Sequence, residues 1–235
     1  MKKIIFTLLC VSILTITNAQ ETEIDNKFIL GGSMNFLIQN NTYPLTSLSL
    51  ITRTGGIYSG GTNDIRYTTL AFSPYFGKEI NSNLMVGLQF DYRKVKNEQD
   101  DVPVFVLGQS NPNTVDIKRN SNQIGIGIFT RYIVNPNNQF SFFFQPSVQY
   151  NLLNEDLSED SIVIQQEKAN FLELGVGLGM IYNVNNKIRA VLRSGGLNYV
   201  TGRWEIKNTD TGKNFNSFGT NFNLSNIYLG FEIRI

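Results

Sequence analysis

A chain of 235 residues with 20 Lys+Arg against 19 Asp+Glu, one Cys and no His has the size of a single domain. The lack of His removes the commonest general base, transition-metal ligand and physiological pH switch. A net charge of +1 leaves no electrostatic footprint for nucleic acid, and 12% aromatic residues with only 17% charged is not the composition of a disordered chain.

The N-terminus opens with Lys2 and Lys3, runs through an apolar stretch from Ile4 to Ile16, and closes on Thr17-Asn18-Ala19 before the polar Gln20. This pattern predicts a secretory signal peptide over residues 1–19, cleaved before Gln20, and a short periplasmic segment over 20–26. The apolar stretch is too short to span a bilayer as a helix. Lipoprotein processing at Cys10 is the alternative, but Cys10 follows Leu8-Leu9 rather than a small residue. Cleavage removes the only Cys, so an exported chain would hold together without disulfides. No later stretch approaches the roughly eighteen apolar residues of a transmembrane helix.

From Lys27 onward the period is two, which is the period of a strand. Residues 27–38 place Phe28, Leu30, Met34, Phe36 and Ile38 on one face; 66–76 place Leu70, Phe72 and Phe76. Residues 84–93 alternate through Leu84, Val86, Leu88, Phe90 and Tyr92, and 124–132 through Ile124, Ile126, Ile128 and Tyr132. Residues 140–150 follow with Phe140, Phe142, Phe144, Val148 and Tyr150. In 172–182, Leu172, Leu174, Val176, Leu178 and Met180 stand opposite Glu173, Gly175, Gly177 and Gly179. Residues 188–193 carry Ile188, Ala190 and Leu192 before Gly195-Gly196, where a bulge is expected to reset the register. Residues 227–235 finish with Ile227, Leu229, Phe231, Ile233 and Ile235.

Eight strands result. Short Asn-rich connections at 79–83, 135–138 and 183–186 read as tight hairpin turns, whereas 39–65, 95–121, 153–168 and 201–221 read as four long polar loops at the other end. Within the last of these, 203–207 and 213–218 look like a hairpin around Thr209-Asp210-Thr211-Gly212.

The apolar face could fill a soluble barrel or meet lipid. Strands of about ten residues tilted by about 40° match the height of a transmembrane barrel's apolar band. Aromatic residues recur at two levels, with Phe28, Phe76, Tyr132, Phe140 and Tyr182 toward the short turns and Phe36, Tyr92 and Tyr150 toward the long loops. The opposite face combines glycine with Asp91, Arg93, Arg131, Glu173, Arg189, Arg193, Glu232 and Arg234, together with Gln145 and Gln149. These polar side chains are expected to form an ion-paired network in the lumen. The fold expected is therefore all-β, an eight-stranded antiparallel up-and-down transmembrane β-barrel over 27–235.

The eight alternating segments, ending on Phe231-Glu232-Ile233-Arg234-Ile235, resemble the small outer-membrane β-barrels of the OmpA/OmpX type found among Bacteroidota. The resemblance implies outer-membrane lipid and the barrel assembly machinery as partners, although Ile235 stands where the family's terminal strand typically ends in Phe. It implies a structural or surface-interaction role, with any extracellular ligand met through the long loops. Small barrels that act on lipids rely on His, which this chain lacks, so no enzyme activity and no cofactor are expected. No metal site is expected either: the acidic run Glu155, Asp156, Glu159 and Asp160 lacks the ligand alternation of a calcium loop. Two alternatives stay open, a narrow outer-membrane channel and a secreted, lipocalin-like ligand-binding barrel.

Overall fold

Side chains alternating between two solvents, and backbone groups that must all be paired in the drier one, leave a closed sheet as the available solution. The structure, a computed structural model, describes residues 27–44, 57–58, 62–105, 113–207, 209, 211–220 and 227–235. The expected signal peptide and periplasmic segment (1–19 and 20–26) lie outside the described residues.

The strands are β1 (Phe28–Pro44), β2 (Ile57–Tyr58), β3 (Thr62–Glu79), β4 (Leu84–Phe105), β5 (Asn113–Val134), β6 (Phe140–Glu159), β7 (Ile162–Asn183), β8 (Ile188–Ile206), β9 (Gly212–Thr220) and β10 (Tyr228–Arg234). Consecutive long strands pair antiparallel from β1 through β3 to β8, and β10 bonds to both β1 and β8, so eight staves close into a ring. β9 pairs with the outer part of β8 along the edge that β10 occupies lower down, and the two short strands together make the eighth stave. Closure through β10 removes the free edges that would otherwise invite aggregation; beyond it, among the described residues, β9 pairs only with β8 and β1 past Met34 only with β3.

Hairpins at one end are tight. Asn81 and Asn185 occupy equivalent positions, each side-chain oxygen accepting two backbone N–H groups: Asn83 and Leu84 in one turn, Lys187 and Ile188 in the other. This is the Asx-turn chemistry behind the Asn-rich signal.

The other end corrects the sequence reading. Most of the four expected loops is strand: β4 and β5 stay paired from Leu84↔Tyr132 out to Val104↔Asn113, and β6 and β7 meet at a two-residue turn, Asp160-Ser161, inside the expected loop 153–168. Asp160 and Ser161 adopt φ of 46° and 69°, the left-handed pair that a two-residue hairpin demands. The remaining parts of those loops, 45–56, 59–61, 106–112, 208, 210 and 221–226, lie outside the described residues. The hairpin expected around 209–212 is present as the β8–β9 pair, Glu205↔Gly212 to Leu197↔Thr220.

Apolar side chains face outward on all eight staves. Leu174 is 42% exposed, as are comparable fractions of Val176 and Leu178 beside it, Leu88 on β4, Ile126 on β5 and Phe231 on β10. On β6 the outward series Phe140, Phe142, Phe144, Val148, Tyr150 and Leu152 spans roughly 25–30 Å once strand tilt is included. Toward the tight turns, rings pair across strands on this face: Phe28 with Phe76 at 5.5 Å, Tyr132 with Phe144 at 5.1 Å and Phe140 with Tyr182 at 4.7 Å. The β7–β8 register slips at Gly177↔Gly196 and Leu178↔Ser194, leaving Gly195 as the extra residue. That bulge moves the outward set of β8 from Ile188 to Leu197 and Tyr199, keeping apolar residues on the lipid side through the whole strand.

Candidate functional site in the barrel lumen

The inward face divides into layers. At the tight-turn end apolar side chains stand among the polar ones: Ile29, Met85, Tyr75 and Phe129 form one buried cluster, and Ile133, Phe143, Ile181 and Val191 another.

Arg131, 1% exposed, sits directly opposite Met85 in the β4–β5 register. Its guanidinium lies over three rings, 4.4 Å from the centroid of Phe143, 5.1 Å from Tyr75 and 5.7 Å from Phe129. Each ring lies across a glycine directly opposite on a neighbouring strand: Tyr75 on Gly31, Phe129 on Gly87 and Phe143 on Gly179. An added Cβ at Gly31 would come within 2.5 Å of the Tyr75 ring, so the bare backbone is what admits the ring. Three strand pairs thus use one device to seat an aromatic cage around a cation.

Charges complete this layer. Arg131 Nη1 is bonded to Glu232 Oε1, and Tyr75 donates its hydroxyl to the same oxygen at 2.6 Å. Arg189 Nε lies 3.0 Å from Glu232 Oε2 in ion contact, and its Nη2 donates to Glu79 Oε1 at 2.8 Å. Arg234 also donates to Glu79 Oε1, at 3.1 Å. The result is a chain of three arginines and two carboxylates drawn from β5, β10, β8 and β3, with Arg234 and Glu232 sharing β10; Gln145 of β6 joins it by accepting from Arg131 Nε at 2.9 Å. Buried ions of this kind persist only where every charge is answered.

Side-chain amides carry the network upward. Gln145 donates to Gln89 at 3.1 Å; Gln89 donates to Gln149 and to Asp91, each at 3.1 Å. Higher still, the layer loosens around a cavity of about 170 Å³ lined by Asp91, Arg93, Glu173, Arg193, Gly175 and Gly177, among others. Arg193 reaches Asp91 only at 3.9 Å and stacks over Tyr228 at 4.9 Å; Arg93 Nε is buried without a hydrogen-bond partner, as are Arg131 Nη2, Arg189 Nε and Arg234 Nε in the lower network.

The eight polar residues singled out in the sequence therefore divide. Arg131, Arg189, Glu232 and Arg234 join in the lower network, while Asp91, Arg93, Glu173 and Arg193 line the cavity. The sequence reading missed Glu79, assigned to a turn although it ends β3 and answers two arginines. It also missed Tyr75, Phe129 and Phe143. Their signal was parity, since each stands at an odd position of its strand between outward residues.

An apolar belt turned outward on every stave, with ions and amides within, is the construction of a barrel whose solvent is lipid. The chain is a closed, antiparallel β-barrel with an apolar outer belt. No protein-family model matches it, and no curated protein matches it in sequence. Among solved structures it is similar to Neisserial surface protein A, at 14% identity over 88% of this chain and 97% of that one with a TM-score of 0.33. It is similar also to a major outer membrane protein from Thermus thermophilus, at 13% identity over 90% of this chain and 100% of that one with a TM-score of 0.40. A third is the outer membrane protease OmpT from Escherichia coli, at 10% identity over 93% of this chain and 100% of that one with a TM-score of 0.36. At such scores the assignment rests on the strand register and the burial pattern.

Proposed function

We propose that this barrel is a non-catalytic outer-membrane protein with a structural or surface-interaction role, its lumen plugged and its long strand ladders carried outside the cell. The observation that supports this reading is the Arg131–Glu232–Arg189–Glu79–Arg234 chain, whose Arg131, Arg189 and Glu232 are no more than 2% exposed. Eight staves enclose a bore just wide enough for side chains, and here these side chains answer one another across it. A secretory signal over 1–19 accounts for export, and lipid and the assembly machinery are the partners such a barrel meets. Any ligand would be met on the outer ladders.

Planar-bilayer recording on the refolded chain tests the plug. The expected result is the absence of steady conductance, with openings appearing only when Arg131 or Glu232 is truncated. A steady conductance in the unaltered protein, abolished by Glu173→Gln or Arg193→Gln, would establish transport instead.

A further inference from the structure

The apolar belt ends differently on different staves. Phe72, Tyr92 and Ile124 stand side by side in the register of β3, β4 and β5, and Phe72 and Ile124 are exposed outward. Opposed residues of an antiparallel ladder share a face, and every second residue repeats it. The next row outward on this face is Leu70, Lys94 and Asn122; the next is Thr68, Lys96 and Asn120; the third is Arg66, Glu98 and Lys118. No register shift interrupts these rows.

Four cations therefore gather on three adjacent staves within three rows, each row rising about 5 Å. One acid accompanies them: Glu98, paired with Lys96 at 2.6 Å. Among the described residues, Arg66, Lys94 and Lys118 form no ion pair. The corresponding outward positions on β6, β7 and β8 are more nearly neutral, with Lys168, Arg203 and Lys207 against Asp156 and Glu205; Arg203 is held by Glu205 at 2.8 Å and Lys207 donates to Gln166 at 3.0 Å.

We propose that the outward face of β3, β4 and β5 above the belt binds the phosphorylated head of an anionic glycolipid in the outer leaflet. The inference rests on the outer-membrane reading with the long ladders outside. A phosphate near the acyl boundary would meet Lys94, directly above the lipid-facing Tyr92. Lys96, Arg66 and Lys118 continue the positive potential over a height of roughly 10 Å, up to Asp100 and Asp116 on the same strands, a height which a phospholipid's single phosphate does not use but a multiply phosphorylated sugar head does. Thr68, Asn120 and Asn122 stand in the same rows and suit sugar hydroxyls.

The test uses the full chain refolded into phosphatidylcholine vesicles containing diphosphorylated lipid A, fully dephosphorylated lipid A or phosphatidylglycerol. Insertion is checked by the mobility difference between unboiled and boiled samples, and lipid retained after detergent extraction is measured by native mass spectrometry. The expected result is retention of diphosphorylated lipid A that falls roughly tenfold or more in the R66Q/K94Q/K96Q/K118Q variant and about twofold at most in K168Q/R203Q, with weak retention of the other two lipids. Equal retention by the fourfold variant, or equal retention of phosphatidylglycerol, would overturn the proposal while leaving the barrel reading intact. Failure of the unaltered chain to insert into any vesicle would overturn both.

Discussion

The lower and upper halves of the lumen are built from the same residue types and behave differently. Below, Glu79 and Glu232 each answer two arginines, and glycines are covered by rings. Above, Arg193 is stretched to 3.9 Å from Asp91, while an added Cβ at Gly175 would find its nearest atoms at 3.5 Å. The lesson is that glycine on an inner face has two uses. Under Tyr75 or Phe143 it admits a ring and tightens the wall, and beside the cavity it simply leaves room.

Removing Glu232 should break the comparison most strongly. Glu232→Ala leaves Arg131 and Arg189 buried with too few partners, and a loss of about 3–5 kcal/mol is expected in denaturant unfolding from vesicles. A loss comparable to that of a surface substitution would mean water reaches the lower layer.

Glycine substitutions sharpen it. An added Cβ at Gly179 collides with the Phe143 ring and with the Leu192 carbonyl 2.5 Å away, so Gly179→Ala should cost about 1–3 kcal/mol. Gly175→Ala should stay within about 0.5 kcal/mol of the parent in the same assay. Equal effects at the two sites would contradict the distinction between covered and open glycines.

Smaller effects are expected on the outer ladders. Ser161 sits at φ 69° in the β6–β7 turn, and Ser161→Gly should stabilise the hairpin by up to about 1 kcal/mol, read as slower amide exchange near Glu159 and Ile162. Glu155 lies opposite Glu167; burial pushes its carboxyl up, Glu167 adds to this, and Arg119 at 3.2 Å opposes it. A folded-state value above the unfolded one means the stability Glu155 contributes is present below the unfolded value and is lost as pH rises through the folded one. Glu155→Gln should therefore be slightly more stable than the parent near neutral pH, and the gain should vanish below about pH 4. An advantage that grows in acid would reverse the sign.

Much of this was legible in the sequence, and for definite reasons. Where one solvent is lipid, alternation is enforced, so the stretches 84–93 and 172–182 announced their strands. Asn81 and Asn185 announced turns through their side chains, and Gly195-Gly196 a bulge. Beyond the apolar belt both faces of the wall carry polar side chains, so the ladder from Val95 to Val104 rests on backbone pairing that imposes no hydrophobic period. Those strands read as loops. The aromatic cage was hidden differently: Phe143 lies between Phe142 and Phe144, and a run of like residues conceals which of them turns inward. Glu79 was lost because its partners Arg189 and Arg234 stand 110 and 155 residues away.

The central claim is the direction of the two faces, and spin labels along β7 test it most directly. The only Cys is Cys10, outside the barrel strands, so single cysteines can be placed one at a time from Leu172 to Gly179 in the refolded protein. Collision with dissolved oxygen should be high at Leu172, Leu174, Val176 and Leu178 and low at Glu173, Gly175, Gly177 and Gly179, because oxygen partitions into the bilayer. A reversed alternation, or none, would contradict a barrel turned toward lipid.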